Sequence, residues 1–210
     1  MQDLVNSDCI IIQGSNMAEA HPVGFQWVIE AKKRGARVIH IDPRFTRTSA
    51  QADTYVALRA GSDVAFLGGI VNYILTNELD FRDYVVAYTN AANIVSEKFQ
   101  DTDDLGGLFS GFDAESRTYD TTSWQYEGQE SDEESADSSS ETDTASDTAS
   151  AMQHESHGVA VDQDVLRDET LQHPNCVYQI LKRHFARYTP DMVSRVCGVP
   201  EDKFLEVARA

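Results

Sequence analysis

The sequence predicts an α/β fold in which helices flank a parallel sheet, together with one acidic segment that does not fold. Two short apolar runs, within residues 8–13 and 37–41, each end in a polar turn, and an amphipathic stretch joins them. This order is that of a βαβ unit, whose ligands lie beyond the carboxyl ends of its strands. Between residues 127 and 164, large apolar side chains almost disappear. We therefore expect a Rossmann-like parallel sheet with a disordered acidic insert.

The first βαβ unit is defined by the residues at which its apolar runs stop. The run within residues 8–13 predicts a buried strand, because Gly14 bounds it. A helix is predicted over 23–34, since Pro22 suits its first turn and Gly35 follows its end. Its predicted buried face holds apolar residues at helical spacing: Val23, Trp27, Val28 and Ala31.

The next elements repeat the order of strand, turn and helix. Residues 37–41 form the second predicted strand, and residues 54–58 resemble a third. A turn at 59–63 precedes a long helix that continues to about Asn77. The predicted buried face of this helix again has helical spacing: Phe66, Leu67, Ile70, Val71, Ile74 and Leu75.

The remaining ordered parts are shorter. We expect helical pieces over 81–99 and, because Gly and aromatic residues abound there, an ordered loop or hairpin over 105–126. A helix is predicted over 173–188. Another runs from a Thr189 cap to a stop at Gly198, and a last helix follows it.

Acidic residues are concentrated in one part of the chain. The chain of 210 residues has a formal charge of -18, and residues 127–169 alone hold 14 Asp and Glu against one Arg. Such a segment cannot offset its ordering entropy, so we predict disorder, either as an acidic interaction tail or as a tolerated surface insertion. The predicted organisation is an α/β region at 1–126, the insert at 127–164, and a helical continuation of the same domain at 165–210.

Composition excludes several classes of function. The negative charge argues against nucleic-acid binding, which depends on cations that neutralise phosphates. No apolar run approaches the roughly 20 residues of a membrane span, so we expect no direct membrane insertion. Cys9, Cys176 and Cys197 are far apart, which argues against a metal site built by this chain alone. No nucleophile–base set is present, so no catalytic residue is assigned.

The first turn has the chemistry of a ligand-binding loop. Gly14 lets a ligand approach the backbone, and Asn16 tolerates unusual dihedral angles while offering an amide. Free N–H groups at the start of the next helix would face a phosphate. The alternative is an ordinary βα turn. Glu19 and His21 could form an acid–base pair, although such residues more often orient a turn.

Three charged residues extend this predicted site. Asp42 ends the second strand, where an acid accepts hydrogen bonds from ribose hydroxyls, and Arg44 can neutralise a phosphate. Asp63 matches a guanine edge, whose N1–H and N2–H₂ are adjacent donors. The alternatives are that both aspartates cap helices and that Arg44 is an ordinary surface residue.

These motifs together resemble a known enzyme family. The segments at residues 13–22, 41–44 and 61–63 resemble the molybdopterin oxidoreductases that bind bis-molybdopterin guanine dinucleotide. Residues 21–27 and 107–115 most resemble the large, catalytic subunit of membrane-associated formate dehydrogenases. The resemblance implies oxidation of formate to carbon dioxide at molybdenum or tungsten, with two electrons leaving through iron–sulfur clusters. The implied cofactor contacts are Gln13, Gly14, Ser15, Asn16 and Glu19 for its phosphate and pterin-linked part, Asp42, Pro43 and Arg44 for the guanosine ribose and phosphates, and Gly61 and Asp63 for guanine.

The chain also departs from the pattern of this family. The segment that binds a 4Fe–4S cluster, and the cysteine or selenocysteine metal ligand, would lie before Met1, so no metal ligand is assigned here. We expect an internal piece of a larger subunit that is inactive alone. The resemblance implies an iron–sulfur beta subunit, a membrane cytochrome subunit and a periplasmic location. The alternatives are a nitrate or polysulfide reductase and a non-catalytic nucleotide-binding or interaction module.

Overall fold

The computed structural model describes residues 1–128 and 165–210. The predicted disordered insert therefore lies almost entirely outside the described residues. The chain forms two compact units, one of Met1–Leu79 with Lys182–Ala210 and one of Asp80–Leu181. The domain boundaries drawn from composition stay a prediction.

A parallel sheet organises the first unit. Its strands are β1 (Cys9–Gln13), β2 (Arg37–Ile41) and β3 (Thr54–Val56), in the order β1-β2-β3 with every pair parallel. This arrangement confirms the predicted α/β class. β3 ends at Val56, two residues before the predicted end, yet Leu58 is buried, because hydrophobicity reports burial and not strand pairing.

Helices cover both faces of this sheet. Successive residues of a strand point to opposite faces. Val38 packs with Phe25 and Val28 in one core cluster, whereas the next residue, Ile39, packs with Phe66 and Phe204 in the other.

The helices of the whole chain, as far as the structure describes it, are α1 (Met17–Ala20), α2 (Pro22–Lys33), α3 (Arg47–Gln51), α4 (Asp63–Thr76), α5 (Arg82–Tyr88), α6 (Val177–Phe185), α7 (Pro190–Cys197) and α8 (Glu201–Arg209), with 3₁₀ helices at Gln2–Asn6 and Thr121–Trp124.

The predicted buried faces of α2 and α4 are partly wrong. Val23 is 76% exposed, whereas Phe25 is buried, because α2 also packs against the 3₁₀ helix at Gln2–Asn6. In α4, Leu67 is 46% exposed, and the buried face contains two glycines. A Cβ on Gly69 would lie 2.5 Å from a methyl carbon of Val193, so α4 and α7 approach closely. The spacing of large apolar residues does not identify a buried glycine, so the sequence did not predict this contact.

The helices at the end of the first unit agree with their predicted signals. The hydroxyl oxygen of Thr189 accepts a hydrogen bond from the N–H of Met192 at 3.2 Å, and Gly198 ends α7 with a φ of 71°. These are the expected cap and the expected left-handed stop. α8 follows as predicted.

The second unit contains less regular structure. Beyond α5 the predicted helical pieces are absent, and Asn93, Ile94 and Val95 instead form isolated antiparallel bridges. The predicted hairpin is present as β4 (Phe112–Asp113) and β5 (Thr118–Tyr119). Within the described ranges, none of the helices is long and apolar enough to cross a bilayer.

Candidate functional site

The polar turns predicted to bind a ligand meet at one edge of the sheet. The N–H of Gly14 donates to the carbonyl of Ile41 at 2.9 Å, and the N–H of Asp42 donates to the carbonyl of Val56 at 3.1 Å. Each turn therefore begins beside the end of the neighbouring strand. The parallel pairing thus places the loops after β1 and β2 side by side at the carboxyl edge.

A side-chain hydrogen bond adds the start of α4 to the same edge. The amide nitrogen Nε2 of Gln13 donates to Oδ1 of Asp63 at 2.7 Å. Asp63 is the first residue of α4, and Ser62 occupies the cap position, so the alternative of Asp63 as a helix cap is wrong. Among the residues that the structure describes, Oδ2 of Asp63 has no hydrogen-bond partner. This oxygen remains available to a ligand.

The turn after β1 offers two backbone donors. Gly14 has a φ of 64°, in the left-handed region, and nothing lies within 4 Å of where its Cβ would be. Over the described part of the chain, the N–H groups of Ser15 and Asn16 donate to no other residue. Successive free N–H groups beside a left-handed residue form a concavity that binds anions. The turn therefore offers two unpaired backbone donors to an anion.

Asp42 closes the turn after β2. Its Oδ1 accepts from the N–H of Arg44 at 2.8 Å, and its carbonyl accepts from the hydroxyl of Tyr55 at 2.8 Å. Burial, and then the charge of Asp42, raise the pKa of Tyr55. Since Thr46 caps the helix that follows, the alternative of Asp42 as a helix cap is also wrong.

Arg44 and Pro43 are exposed beside Asp42. The guanidinium of Arg44 makes no hydrogen bond or ion pair within residues 1–128 and 165–210. It is therefore free to reach an anion. Gly61, at the third turn, is exposed, has a φ of 82° and has open space around its missing Cβ.

Asn16 and Glu19 differ from these residues because the protein already engages their polar atoms. Oδ1 of Asn16 accepts from the hydroxyl of Thr48 at 3.1 Å, and its Nδ2 donates to the carboxylate of Glu19. Glu19 also pairs with Arg47, whose Nε lies 3.1 Å from Oε1. These contacts favour the interpretation of Glu19 as a residue that orients the turn over a role as an acid–base partner of His21. The cofactor contacts of Asn16 and Glu19 stay a prediction.

The sequence analysis missed the residues that hold the first turn in place. His40 is completely buried, with Nε2 3.1 Å from the carbonyl oxygen of Ser15 and Nδ1 2.8 Å from the hydroxyl oxygen of Ser49. Ser49 belongs to α3, a helix that the sequence did not predict. Two signals could have indicated this support: a histidine inside an otherwise apolar strand, and the three-residue spacing of Thr46 and Ser49, in which the hydroxyl of Ser49 accepts from the N–H of Thr46.

The described residues contain no group of three side chains suited to a metal ion. Cys197 is buried and its thiol donates to the carbonyl of Ser62 at 3.4 Å. Burial raises the pKa of this thiol. A cleft of about 410 Å³ lies beside the start of α2, and none of the predicted cofactor contacts lines it.

The family of the chain follows from comparison with known proteins. The sequence model of the family described as Molybdopterin oxidoreductase matches residues 1–161, more than half of the chain. The chain belongs to the molybdopterin oxidoreductase family. The resemblance inferred from the motifs at the sheet edge is thereby confirmed.

Relatives within this family cover nearly the whole chain. It is 44% identical over 205 residues to the formate dehydrogenase subunit alpha of Megalodesulfovibrio gigas, a match that covers 98% of this chain and 17% of that protein. It is 46% identical over 206 residues to the formate dehydrogenase-O major subunit of Escherichia coli K12, again over 98% of this chain and 17% of the relative. The chain thus spans 17% of the length of these molybdopterin oxidoreductases. The solved structure of acetylene hydratase from Pelobacter acetylenicus is similar with a TM-score of 0.49 and 17% identity, over 96% of this chain and 16% of that one.

Proposed function

We propose that this chain supplies part of the binding site for bis-molybdopterin guanine dinucleotide in the catalytic subunit of a molybdenum or tungsten formate dehydrogenase. The hydrogen bond between Gln13 and Asp63 carries the proposal, because it joins two segments that the sequence assigned independently to the cofactor. The relatives named above are formate dehydrogenases, which supports the formate type over the nitrate and polysulfide types.

The guanosine half of the cofactor fits the groups that the protein leaves free. The open oxygen of Asp63 suits the donors on the guanine edge, and Gly61 leaves room for a planar base. Asp42 and Pro43 would lie along the ribose, and the guanidinium of Arg44 would pair with a phosphate.

The phosphate and pterin-linked part would lie against the first turn. The free N–H groups of Ser15 and Asn16 would donate to phosphate oxygens, and Gly14, which has no side chain, leaves the space beside them open. Gln13 and Glu19 would complete this part of the site.

In this proposal the chain binds and orients the cofactor but does not react. The cofactor, when bound, supplies the metal at which formate loses two electrons. The 4Fe–4S cluster and metal ligand would come from a preceding part of the longer subunit. Partners would be an iron–sulfur beta subunit and a membrane cytochrome subunit, and the complex would lie at the periplasmic side of the membrane. The isolated chain would not oxidise formate.

Isothermal titration calorimetry with guanosine diphosphate tests this proposal on the purified chain. We expect Asp63→Asn to weaken binding by about tenfold or more, as for the loss of a hydrogen bond to a charged group. The asparagine retains an oxygen for Gln13 but presents an amide donor to the donors of guanine.

Asp83→Asn is the matched control, because Asp83 is an exposed aspartate in the first turn of another helix, α5. This variant should bind as wild type does. Equal affinity for adenosine diphosphate and guanosine diphosphate, or no effect of Asp63→Asn, would contradict the proposed guanine contact.

A further inference from the structure

The first turn of α3 is bonded, at three successive positions, to the turn after β1 or to α1, which directly follows that turn. Arg47 pairs with Glu19, with 3.1 Å between Nε and Oε1. Thr48 both donates to Oδ1 of Asn16 at 3.1 Å and accepts from the N–H of Ala18 at 3.0 Å. Ser49, the third residue, reaches the same turn through His40.

The protons of the link through His40 are fixed by its neighbours. The carbonyl oxygen of Ser15 only accepts hydrogen bonds, so Nε2 of His40 carries a proton. In the neutral ring Nδ1 is then an acceptor, and the hydroxyl of Ser49 donates to it. The oxygen of Ser49 in turn accepts from the N–H of Thr46 at 2.7 Å. A continuous chain of donors and acceptors therefore runs from the cap of α3 to the carbonyl of Ser15.

Burial makes each of these bonds structurally important. Thr48 and His40 are completely buried, and Ser49 is nearly so. Buried polar groups that lose their partners are costly, because water does not replace the missing bond. Loss of the Thr48 hydroxyl would leave an amide oxygen of Asn16 and the N–H of Ala18 without their partner. The conformation of the turn thus depends on side chains that are buried behind it.

We propose that Thr48, Ser49 and His40 are positioning residues, which hold the backbone N–H groups of Ser15 and Asn16 in place for the phosphates of the cofactor. This inference rests on the proposed function. The three side chains do not contact the cofactor in this arrangement. They act through the turn, so their loss should weaken the contact with phosphate and leave the contact with guanine intact.

The test compares Thr48→Val with Thr48→Ser, using guanosine diphosphate and guanosine as separate probes in calorimetry. Valine has the shape of threonine without its hydroxyl, and serine retains the hydroxyl. We expect Thr48→Val to weaken binding of guanosine diphosphate by about tenfold. Guanosine binding should be unchanged, and Thr48→Ser should behave as wild type. A merely structural role would weaken both ligands alike.

A second measurement needs no variant and so remains informative if Thr48→Val fails to fold. Nitrogen-15 spectra of the wild-type chain report the tautomer of His40, and we expect the proton on Nε2. A proton on Nδ1 alone would overturn the inferred chain of bonds.

The two proposals fail in different ways. Absence of binding by the wild-type chain to guanosine diphosphate would overturn the proposed function, and the positioning role with it. Wild-type binding that Thr48→Val leaves unchanged would overturn the positioning role alone.

Discussion

The two turns that hold Gly14 and Gly61 at the sheet edge are stabilised in different ways. The first depends on side chains of α3, which lies about 30 residues further along the chain. The second depends on α7, near the end of the chain: the N–H of Arg59 donates to the carbonyl of Cys197 at 2.7 Å, and its guanidinium donates to the carbonyl of Val196 at 2.8 Å. One turn is thus held by a segment 30 residues away and the other by a segment 137 residues away.

This difference has a consequence for the folding of the site. Contacts between residues far apart in sequence require a longer loop to close, which costs more conformational entropy. The first turn can form once β2 and α3 are in place. The second is complete only after the C-terminal helices have packed onto α4, so the turn that carries Gly61 and leads to Asp63 depends on the whole first unit.

The largest effect should come from Phe204→Ala, which removes the packing of α8 against α4. Phe204 is completely buried and meets Phe66 edge to face, with 5.5 Å between ring centroids. We expect a loss of about 3–5 kcal/mol in the free energy of unfolding, measured by urea denaturation. The control is Phe45→Ala, because Phe45 is 62% exposed. Similar losses in both variants would contradict a core role for α8.

The next largest effect should separate the proposed phosphate contact of Arg44 from the proposed guanine contact of Asp63. Arg44→Ala removes a cation that no described residue engages. The variant loses a charged hydrogen bond, which contributes about 1.5–3 kcal/mol to binding. In calorimetry it should therefore bind guanosine diphosphate more weakly and bind guanosine as the wild type does. Arg34→Ala, at the exposed end of α2, is the control. An equal loss for both ligands would show that Arg44 does not contact phosphate.

A smaller effect should come from Gly69→Ala, which adds a methyl group where α4 packs closely against α7 and α8. In Gly69→Ala the new Cβ would lie 2.5 Å from Val193 and 2.8 Å from Phe204. Overpacking of this kind should lower the free energy of unfolding by about 1–3 kcal/mol. Gly24→Ala is the matched change, because its Cβ would meet only the flexible ends of Met1 and Met17, at 2.8 Å or more. A larger loss of thermal stability in Gly24→Ala than in Gly69→Ala would contradict the close packing at Gly69.

The smallest effect concerns Asp168, in a loop of the second unit, whose carboxylate accepts hydrogen bonds from residues within five positions along the chain. The hydroxyl of Thr170, followed by the N–H groups of His173 and Gln172, lowers the pKa of Asp168 to about 2 from 3.8. Because the folded-state pKa lies below the unfolded one, this carboxylate stabilises the fold above pH 3.8, and its contribution is lost as pH falls toward 2.

Asp168→Asn should therefore reduce the dependence of stability on pH in that window, as followed by denaturation at several pH values. Asp83→Asn serves as the control, because Asp83 is exposed in α5. An unchanged pH dependence in Asp168→Asn would show that this loop contributes nothing to acid sensitivity.

The sequence predicted the elements whose signals are local. The ends of β1 and β2 follow from apolar runs that stop at Gly14 and Asp42, and the cap at Thr189 follows from residue type. From these ends, the topology of a parallel sheet is enough to bring the polar turns to one edge. That is why the candidate residues could be named before their geometry was known.

The missed features depend on contacts that sequence spacing does not contain. α3 has five residues without apolar periodicity, and its partners lie in another turn. The bond between Gln13 and Asp63 joins positions 50 residues apart. The packing of α4 depends on Gly69, which is small where its neighbours are large. Each is a property of the folded chain, which the pattern of residues along the sequence does not reveal.

The thiol of Cys197 provides a way to observe how the second turn opens. Cys197 is the last residue of α7, is buried, and donates to the carbonyl of Ser62, the residue directly before Asp63; burial raises the pKa of its thiol. An alkylating reagent attacks the thiolate and so reaches Cys197 only when α7 separates from this turn. The rate of alkylation therefore measures, in solution and without any ligand, how often α7 separates from the turn that precedes Asp63.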